Sequence, residues 1–464
     1  MMHRIKSRLA GSFKLAAYLA VLGVSNAWAA DDAPGIVGKD DWLFYRYELS
    51  EPADLHATEQ TINLVAKFNR VLARNGVTMA FTMVPLKARI YAEHLPDQIK
   101  LTPYLSGNYE RMSKALRDQQ VAILDLNSAF LNAVAKNPEE PLYFRLDTHW
   151  APSGAMLAAE TLRAGMSQYP SLQQALSATP VSEYDMEWSK RKVRTHSRDL
   201  VEQLPAGAQT YSPEITSLFN VKRSKKSNTE LLGEAEDPQV TLLGSSYSMK
   251  WTGFADALRY TLQRDILDVA VGADRGSWVG MESYLRDDAF QTQRPKLMIW
   301  EMPERDMRAP PDYRFRDARY LSDNTEWLLR AAAWVEKDCR PAVTKASLTI
   351  GGLVKQASAA LETVATSDQD YVDLAFDQPL QQLDYISMNI SNSGSKSMRI
   401  EGSVEGKSRK FEFALAGDGD AHAFKTPLPS AKGGYTSARI YPGINSAFSL
   451  RDLKVCRQQE DLLR

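Results

Sequence analysis

Short apolar runs alternate with amphipathic segments through the first two thirds of the chain. Apolar residues recur at helical spacing over residues 61–73 and 108–119, and Ser153 is placed to cap a third helix that ends near Met166. Continuous apolar runs predict buried strands at 77–84, 121–124, 240–243 and 296–300. Alternation of this kind from about residue 38 to about residue 334 predicts an α/β layer architecture.

The pattern changes to a period of two after about residue 337. Alternating stretches separated by Gly, Ser, Asn and Asp predict antiparallel strands at 346–350, 385–390, 398–404 and 410–415. A β-sandwich over residues 337–464 accounts for them. Both cysteines, Cys339 and Cys456, lie in this region and favour one disulfide that closes it, with two free thiols as the alternative.

The N-terminus has the three-part pattern of a secretory signal peptide. Basic residues precede an apolar run at 15–24, and Ala27 and Ala29 supply small residues at a cleavage point. Residues 1–30 are therefore predicted to be removed during export, and a retained amphipathic anchor helix is the alternative. The mature chain then divides into residues 31–336 and 337–464.

Composition excludes several classes of function. The chain is 44% hydrophobic and 24% charged, as in ordinary globular proteins, and its formal net charge of -1 argues against a nucleic-acid binder. Positive charge is concentrated between residues 190 and 226, which favours either contact with an anionic polymer or a solvated insertion. Residues 306–317, rich in Arg, Asp and Pro, predict an irregular surface loop.

One histidine lies in a pattern that favours chemistry. Asp147 and His149 form a D-x-H motif between a strand-like stretch at 142–145 and the third predicted helix. An Asp at this spacing can orient an imidazole that removes a proton from a hydroxyl. The other mature histidines are predicted to be structural or solvated: His56, His94, His196 and His422.

A serine-rich turn supplies the second half of a catalytic set. The apolar strand at 240–243 runs into Gly244 and then into Ser245 and Ser246, which places a hydroxyl at the carboxyl edge of the sheet. Gly244 would let backbone amides approach an oxyanion. These residues alone leave the nucleophile open between Ser245 and Ser246. Zinc, EF-hand, P-loop and dinucleotide motifs are missing from the sequence, so no cofactor is predicted.

Four motifs together resemble the AlgX/AlgJ family of periplasmic polysaccharide O-acetyltransferases. They occur in the family's order: GKDDWLFYR at 38–46, DTHW at 147–150, GSSYS at 244–248 and WEMPER at 300–305. The resemblance implies an SGNH-hydrolase-like three-layer domain with a permuted motif order, in which D-x-H precedes the serine. It also implies a C-terminal β-sandwich carbohydrate-binding module, to which the cysteine pair would belong.

The resemblance assigns catalytic roles and partners. It makes Ser246 the nucleophile, His149 the base and Asp147 the orienting carboxylate of an acetyl transfer onto an exopolysaccharide in the periplasm. A membrane-bound O-acyltransferase would supply the acetyl group, and other polysaccharide-secretion proteins would be partners. The acceptor stays open between an anionic polymer such as alginate, an acetylated cellulose and another exopolysaccharide. The rival functions are an acetylesterase of the same fold and a non-catalytic scaffold.

Further side chains are predicted to contact substrate. Tyr247 and Arg305 follow the predicted strands, and Arg305 with Glu301 and Glu304 either lines the cleft or forms an ion-pair network. In the module, tyrosines would stack on sugar rings and cations would bind carboxylated sugars, or these side chains belong to the ordinary surface and core: Tyr385, Tyr435, Tyr441, Lys396, Arg399, Lys407, Arg409 and Lys410.

Overall fold

A computed structural model describes most of the chain beyond the predicted leader. The described residues are 33–49, 51–195, 197–224, 238–273, 275–336, 339, 344–350, 353–355, 360–365 and 367–464. The predicted signal peptide at 1–30 lies outside them, as do His196 and the predicted domain boundary at 337. Among the residues described, every helix is too short or too polar to cross a membrane.

Eleven strands are described before residue 337: β1 (Gly35–Val37), β2 (Leu43–Tyr45), β3 (Thr78–Val84), β4 (Ala122–Leu124), β5 (Tyr184–Trp188), β6 (Val193–Arg194), β7 (Ile215–Thr216), β8 (Phe219–Arg223), β9 (Val240–Gly244), β10 (Ile266–Ala270) and β11 (Leu297–Pro303). The α-helices described are α1 (Leu55–Arg74), α2 (Lys87–Ile90), α3 (Pro103–Ser106), α4 (Asn108–Asp118), α5 (Asn127–Lys136), α6 (Pro152–Gly165), α7 (Pro170–Ser177), α8 (Phe254–Leu262), α9 (Gly276–Arg286), α10 (Asp288–Thr292) and α11 (Asn324–Val335).

Five parallel strands form the central sheet, in the order β10-β9-β11-β3-β4. Successive residues enter two separate cores: Leu242 and Ile299 pack with α6 and α8, whereas Leu243 and Trp300 pack with α1, α9 and α11. Strands buried on both faces are apolar throughout, which is why the sequence has continuous apolar runs here. The predicted three-layer α/β fold is confirmed.

Two local predictions in this region are wrong. Ser153 does not cap α6, because Pro152 already occupies the first helical position, where its missing N–H costs nothing. The Ser153 hydroxyl instead donates to the Pro141 carbonyl. The stretch at 142–145 is not a strand but one arm of a tight loop, closed by a single bridge between Tyr143 and Trp150.

The basic segment contains two small antiparallel ribbons. Strand β5 pairs with β8, and β6 pairs with β7. Lys225 and Lys226 lie outside the described residues. The loop predicted at 306–317 begins with a 3₁₀ turn, Glu304–Arg308, whose Met307 is buried in the core, so its first residues are not a surface loop.

The C-terminal strands form the predicted β-sandwich. They are β12 (Thr344–Ile350), β13 (Leu353–Lys355), β14 (Ala360–Ala365), β15 (Tyr371–Leu380), β16 (Asp384–Ser393), β17 (Ser397–Val404), β18 (Lys407–Ala414), β19 (Asp418–Pro427), β20 (Tyr435–Tyr441) and β21 (Ser446–Arg457). A six-stranded sheet, β13-β12-β15-β20-β17-β18, faces a four-stranded one, β14-β21-β16-β19. Ile386, Ile400, Ile440 and Leu450 are among the residues buried between them.

The sandwich packs directly against the α/β part. Leu383 and Leu462 join the core formed by α1 and α11, and the Gln458 side chain donates to the Leu329 carbonyl at 2.6 Å. The predicted disulfide is confirmed, because Cys339, just after α11, is bonded to Cys456 on β21. This bond therefore joins the end of the α/β part to the sandwich.

Candidate active site

The loop between Tyr143 and Trp150 carries the D-x-H motif at the carboxyl edge of the sheet. Trp150 is fully buried, with ring centroids 5.2 Å from Tyr247 and 4.7 Å from Phe254, and this anchors the backbone of the preceding histidine. The His149 Nδ1 lies 2.6 Å from an Asp147 carboxylate oxygen, which also accepts the His149 amide at 2.9 Å. The imidazole is thereby held in one orientation.

The serine turn presents a single hydroxyl to this histidine. The Ser246 Oγ lies 2.8 Å from the His149 Nε2. The Ser245 hydroxyl is used elsewhere, since it accepts from the Tyr247 amide and donates to Glu301. Geometry therefore singles out Ser246 among the neighbouring serines, and no acceptor for its amide N–H is found among the described residues.

Gly244 and Glu301 fix the conformation of the serine turn through packing and hydrogen bonds. A side chain on Gly244 would lie 2.0 Å from the Ser248 hydroxyl and 2.8 Å from the Glu301 carboxylate, so only glycine fits here. Close packing therefore requires a glycine at this position. Glu301 is 0% exposed and accepts from the Ser245 amide, the Ser245 hydroxyl and the Ser248 hydroxyl. Burial raises the pKa of Glu301 to about 7, although these hydrogen bonds oppose the shift.

The charge on Asp147 is favoured by its surroundings. Burial alone would raise the pKa of Asp147, but hydrogen bonds from His149 and from the Asp199 amide, with the nearby imidazole, lower it below its ordinary value. Asp199 lies close by, with its carboxylate 3.8 Å from the His149 Nδ1. Burial and the charge of Asp147 raise the pKa of Asp199.

A buried lysine binds the carbonyls of the D-x-H loop. Lys87, which is 0% exposed, donates to the carbonyls of Leu43, Arg145 and Asp147 at 2.6, 2.9 and 3.0 Å. Burial lowers the pKa of Lys87 to about 8, and the carboxylates of Glu48 and Glu214 oppose that shift.

Two acids of the basic segment bind the amides of the same loop. The Glu214 carboxylate accepts from the amides of Arg145 and Leu146, each at 2.9 Å. The Asp199 carboxylate accepts from the Thr148 amide at 2.7 Å and from the Thr148 hydroxyl at 2.6 Å. One cation on the carbonyls and two anions on the amides therefore fix the backbone that carries the Asp147 and His149 side chains.

Tyr247 and Arg305 lie next to Ser246 and His149. Tyr247 is 1% exposed, and its hydroxyl donates to the Thr148 carbonyl at 2.6 Å and accepts from Arg305 at 3.0 Å. Tyr247 therefore connects the serine turn to the D-x-H loop, and both hydrogen bonds of its hydroxyl are made within the protein. Arg305 also lies 3.7 Å from the buried Glu48. Glu304 is buried in an ion pair with Arg89, so of Glu301, Glu304 and Arg305 only Arg305 lines the larger cavity described next.

Two cavities meet at the reacting pair. One, of about 890 Å³, is lined by Ser246, Arg305, Tyr313 and Arg316. The other, of about 550 Å³, is lined by His149 and by residues of β6 and β7. Ser246 and His149 therefore border different cavities.

The described residues contain one group that could hold a metal ion, formed by Asp147, His149 and Asp199. Its oxygens already accept hydrogens from the protein: those of Asp147 from His149 and the Asp199 amide, and those of Asp199 from Thr148. The arrangement suits a hydrogen-bonded acid-base pair.

The side chains predicted to bind polymer in the sandwich fall into two sets. Tyr385 and Tyr435 are buried, so the prediction that they stack on sugars is wrong. Tyr441 is half-buried beneath the Arg399 guanidinium. Glu401 pairs with Arg399 and with Lys410, whereas the remaining predicted cations are exposed: Lys396, Lys407 and Arg409.

Two of the other histidines have carboxylate partners away from this loop. His94 pairs with Asp40, and His422 pairs with Asp418. Sequence reasoning missed Lys87, Glu214 and the role of Asp199. A signal existed for two of them, because they are acids retained in a strongly basic segment.

The fold and the order of its motifs, with the D-x-H loop before the serine turn, define an SGNH-hydrolase-like protein. A family model described as an SGNH hydrolase-like domain, acetyltransferase AlgX, matches residues 36–304, and the chain belongs to that family. This confirms the resemblance found in the sequence.

Two curated relatives illustrate the similarity. The probable alginate O-acetylase AlgJ of Pseudomonas aeruginosa is 28% identical over 320 residues, which cover 64% of this chain and 78% of that protein. The alginate biosynthesis protein AlgX of Pseudomonas putida is 25% identical over 324 residues, which cover 68% and 63%.

Solved structures show the same fold. Pseudomonas aeruginosa AlgX matches with a TM-score of 0.61 and 18% identity, over 92% of this chain and 94% of that one. The O-acetyltransferase domain of Pseudomonas putida AlgJ matches with a TM-score of 0.54 and 24% identity, over 64% and 98%. The likeness to AlgX therefore extends into the C-terminal strands.

Proposed function

We propose that this protein is a periplasmic O-acetyltransferase that moves an acetyl group through Ser246 onto hydroxyls of an exopolysaccharide during biosynthesis and secretion. The names of its relatives point to alginate as that polymer. The observation that carries the proposal is the chain of contacts from the Ser246 Oγ to the His149 Nε2 and from the His149 Nδ1 to Asp147. A serine, an imidazole and a carboxylate in this order form the arrangement that activates a nucleophilic hydroxyl.

The first half-reaction acetylates the serine. The Ser246 Oγ attacks the acetyl carbonyl carbon while its proton passes to the His149 Nε2. The unpartnered Ser246 amide is available to the oxyanion of the tetrahedral intermediate. That intermediate collapses as the bond to the donor's leaving atom breaks, and His149 returns the proton to the leaving group. A membrane-bound O-acyltransferase is the proposed source of the acetyl group.

The second half-reaction runs through the same groups. A sugar hydroxyl gives its proton to His149 and attacks the acetyl carbonyl of acetyl-Ser246. The bond to Ser246 then breaks, and the proton returns from His149 to the Ser246 Oγ. Asp147 remains ionised throughout and stabilises the imidazolium that forms in each half-reaction.

The strand-rich C-terminal region has a separate proposed role. We assign residues 31–336 to the acetyltransferase domain and residues 337–464 to a carbohydrate-binding module. Binding of a polymer beside the active site raises the local concentration of acceptor hydroxyls, which favours transfer over hydrolysis by water. The exposed cations Lys396 and Lys407 are the proposed contacts for carboxylated sugars, together with Arg399 and Lys410 beside Glu401.

The test compares two neighbouring serines. Mature protein and the Ser246→Ala and Ser245→Ala variants are incubated with a chromogenic acetyl ester and mannuronate oligomers, and free acetate and oligomer mass are both followed. We expect a mass gain of one acetyl group that Ser246→Ala abolishes and Ser245→Ala only reduces. Serine-dependent acetate release without acetylated oligomer would instead indicate an acetylesterase. Oligomer binding without any Ser246-dependent turnover would indicate a scaffold.

A further inference from the structure

The smaller cavity opens on the His149 side of the reacting pair. Its volume is about 550 Å³, and its lining includes His149, Trp251 and three residues from the basic segment, Arg194, Arg198 and Leu218. None of these residues lines the larger cavity on the Ser246 side. The two openings are therefore built from different parts of the chain.

Trp251 forms an exposed aromatic wall of this cavity. The side chain is 50% exposed, and its ring lies edge-on to the His149 imidazole with centroids 4.8 Å apart. Two apolar side chains of the same lining are also exposed, Val193 at 37% and Leu218 at 42%. An indole left half in water beside a reacting group offers a flat surface on which the apolar face of a sugar ring can stack.

The same cavity has cations that lack acidic partners. Neither the Arg194 nor the Arg198 guanidinium has an ion-pair partner within the described part of the chain, although both line the cavity. Lys190, Arg191 and Lys192 precede Arg194 and are exposed, so positive charge continues outward from the cavity.

Three carboxylates also line the cavity, those of Asp147, Asp199 and Glu202. Hydrogen bonds from His149 and Thr148 already occupy Asp147 and Asp199. Guanidinium groups match carboxylates through paired hydrogen bonds, so Arg194 and Arg198 fit the acid groups of a sugar chain.

We propose that this cavity is the acceptor site for a carboxylated polysaccharide. Trp251 stacks on one sugar ring, and Arg194 and Arg198 bind the carboxylates of the chain. This proposal rests on the acetyl transfer proposed above, because the acceptor hydroxyl must come within hydrogen-bonding reach of His149. The larger cavity beside Ser246 is then left for the acetyl donor.

Binding is measured separately from turnover to test this site. Mannuronate oligomers and neutral glucose oligomers of equal length are titrated into full-length mature protein carrying Ser246→Ala, which prevents transfer. The site variants are Arg194→Gln/Arg198→Gln and Trp251→Ala. The charge-matched control is Lys100→Gln/Lys136→Gln, two exposed lysines outside both cavities.

We expect the mannuronate oligomers to bind at least tenfold more weakly to each site variant than to the control. The same site substitutions are also made in protein that keeps Ser246. There, the KM for the oligomer should rise by a factor at least ten times larger than the factor by which the rate of Ser246 acetylation by a chromogenic ester changes. A larger loss for mannuronate than for glucose oligomers in the arginine variant would support the carboxylate contact.

Two results would overturn the acceptor site. One is wild-type affinity for mannuronate in both site variants, and the other is equal affinity of the unmodified site for neutral and acidic oligomers. Neither touches the proposed function, which fails if acetyl turnover is independent of Ser246 or if no acetyl group reaches an oligomer. Weakened oligomer binding in the site variants, with turnover unaffected by Ser246→Ala, would keep the binding site and reject the transferase.

Discussion

Charged side chains around the site have a different role from Ser246 and His149. Lys87 binds carbonyls of the D-x-H loop, Glu214 and Asp199 bind its amides, and Glu301 binds the serine turn. A buried charge is costly unless it is fully hydrogen-bonded, and each of these carries two or more hydrogen bonds. The contacts hold Ser246 and His149 in register without entering the reaction.

The raised pKa of Glu301 makes a prediction about stability. Because burial raises this pKa from its ordinary 4.5 to about 7, the folded state binds a proton that the unfolded state has lost between those two values. The free energy of unfolding should therefore fall as the pH rises through this window, by about 3 kcal/mol from this group.

Glu301→Gln removes the titration while keeping the shape of the side chain. We expect the free energy of unfolding, measured by urea denaturation at pH 5 and at pH 7.5, to fall more in the wild type than in this variant. Glu160→Gln, at an exposed acid on α6, should follow the wild type. If the free energy of unfolding changes equally with pH in the wild type and in Glu301→Gln, the pKa of Glu301 is not raised.

At the scale of elements, the ribbons of the basic segment support the D-x-H loop. Glu214 immediately precedes β7, and its carboxylate binds two successive loop amides. An insertion that reads in sequence as a surface feature is thus part of the active-site framework. Two of its cations, Arg194 and Arg198, line the cavity, and two of its acids, Asp199 and Glu214, bind the loop.

Removing the Glu214 carboxylate should misplace His149. We expect Glu214→Ala to lower kcat for acetyl-ester turnover roughly 10- to 100-fold with little change in KM, because a small displacement of a reacting group has this cost. Glu214→Gln, which keeps one acceptor oxygen, should recover part of the loss. Glu187→Ala, at an exposed acid on β5, is the matched control.

A fall in the folded fraction alone would give a different result for Glu214→Ala. It would lower kcat in proportion to the amount of unfolded protein and would be corrected by active-site titration. An unchanged kcat per active site would therefore contradict the positioning role.

Local sequence signals predicted the elements well and the contacts between them poorly. The central strands and the sandwich follow from apolar periodicity, because burial on one or two faces sets that period. The prediction that Ser153 caps α6 failed because the neighbouring Pro152 has a stronger preference for the first helical turn. The Lys87 and Glu214 contacts join residues far apart in the chain, and periodicity carries no information about such pairs.

The candidate site was likewise predictable in its local motifs but not in the contacts between them. The sequence predicted Asp147, His149 and a serine, but the choice of Ser246 over Ser245 needed the resemblance to a family. In the structure, Glu301 and the Tyr247 amide occupy the Ser245 hydroxyl. The Tyr247 contact is local to the turn, whereas the Glu301 contact depends on how β9 and β11 lie side by side.

For the whole molecule, the sandwich and the α/β part share a core and a covalent bond. Leu383 and Leu462 pack with α1 and α11, and Arg74 pairs with Asp461 at 2.7 Å. The Cys339–Cys456 bond spans 117 positions in sequence. The sandwich is therefore joined to the α/β part by apolar packing, an ion pair and a disulfide.

The disulfide should stabilise this junction measurably. We expect Cys339→Ser/Cys456→Ser to lower the free energy of unfolding by up to about 4–5 kcal/mol, because the closed loop no longer restricts the unfolded chain. Thermal unfolding of the variant and of wild type, each with and without reductant, measures the effect. The same Tm in all four samples would contradict it.

The central claim is that acetyl groups pass through Ser246 to a polysaccharide. The most direct measurement is a pulse and chase: mature protein is briefly acetylated with a chromogenic ester, freed of excess ester, and mixed with mannuronate oligomers while protein and oligomer masses are followed. Our account predicts one acetyl group on the Ser246 peptide that disappears as acetylated oligomer forms. Acetylation elsewhere on the chain, or loss of the acetyl group only to water at a rate that oligomers do not change, would contradict it.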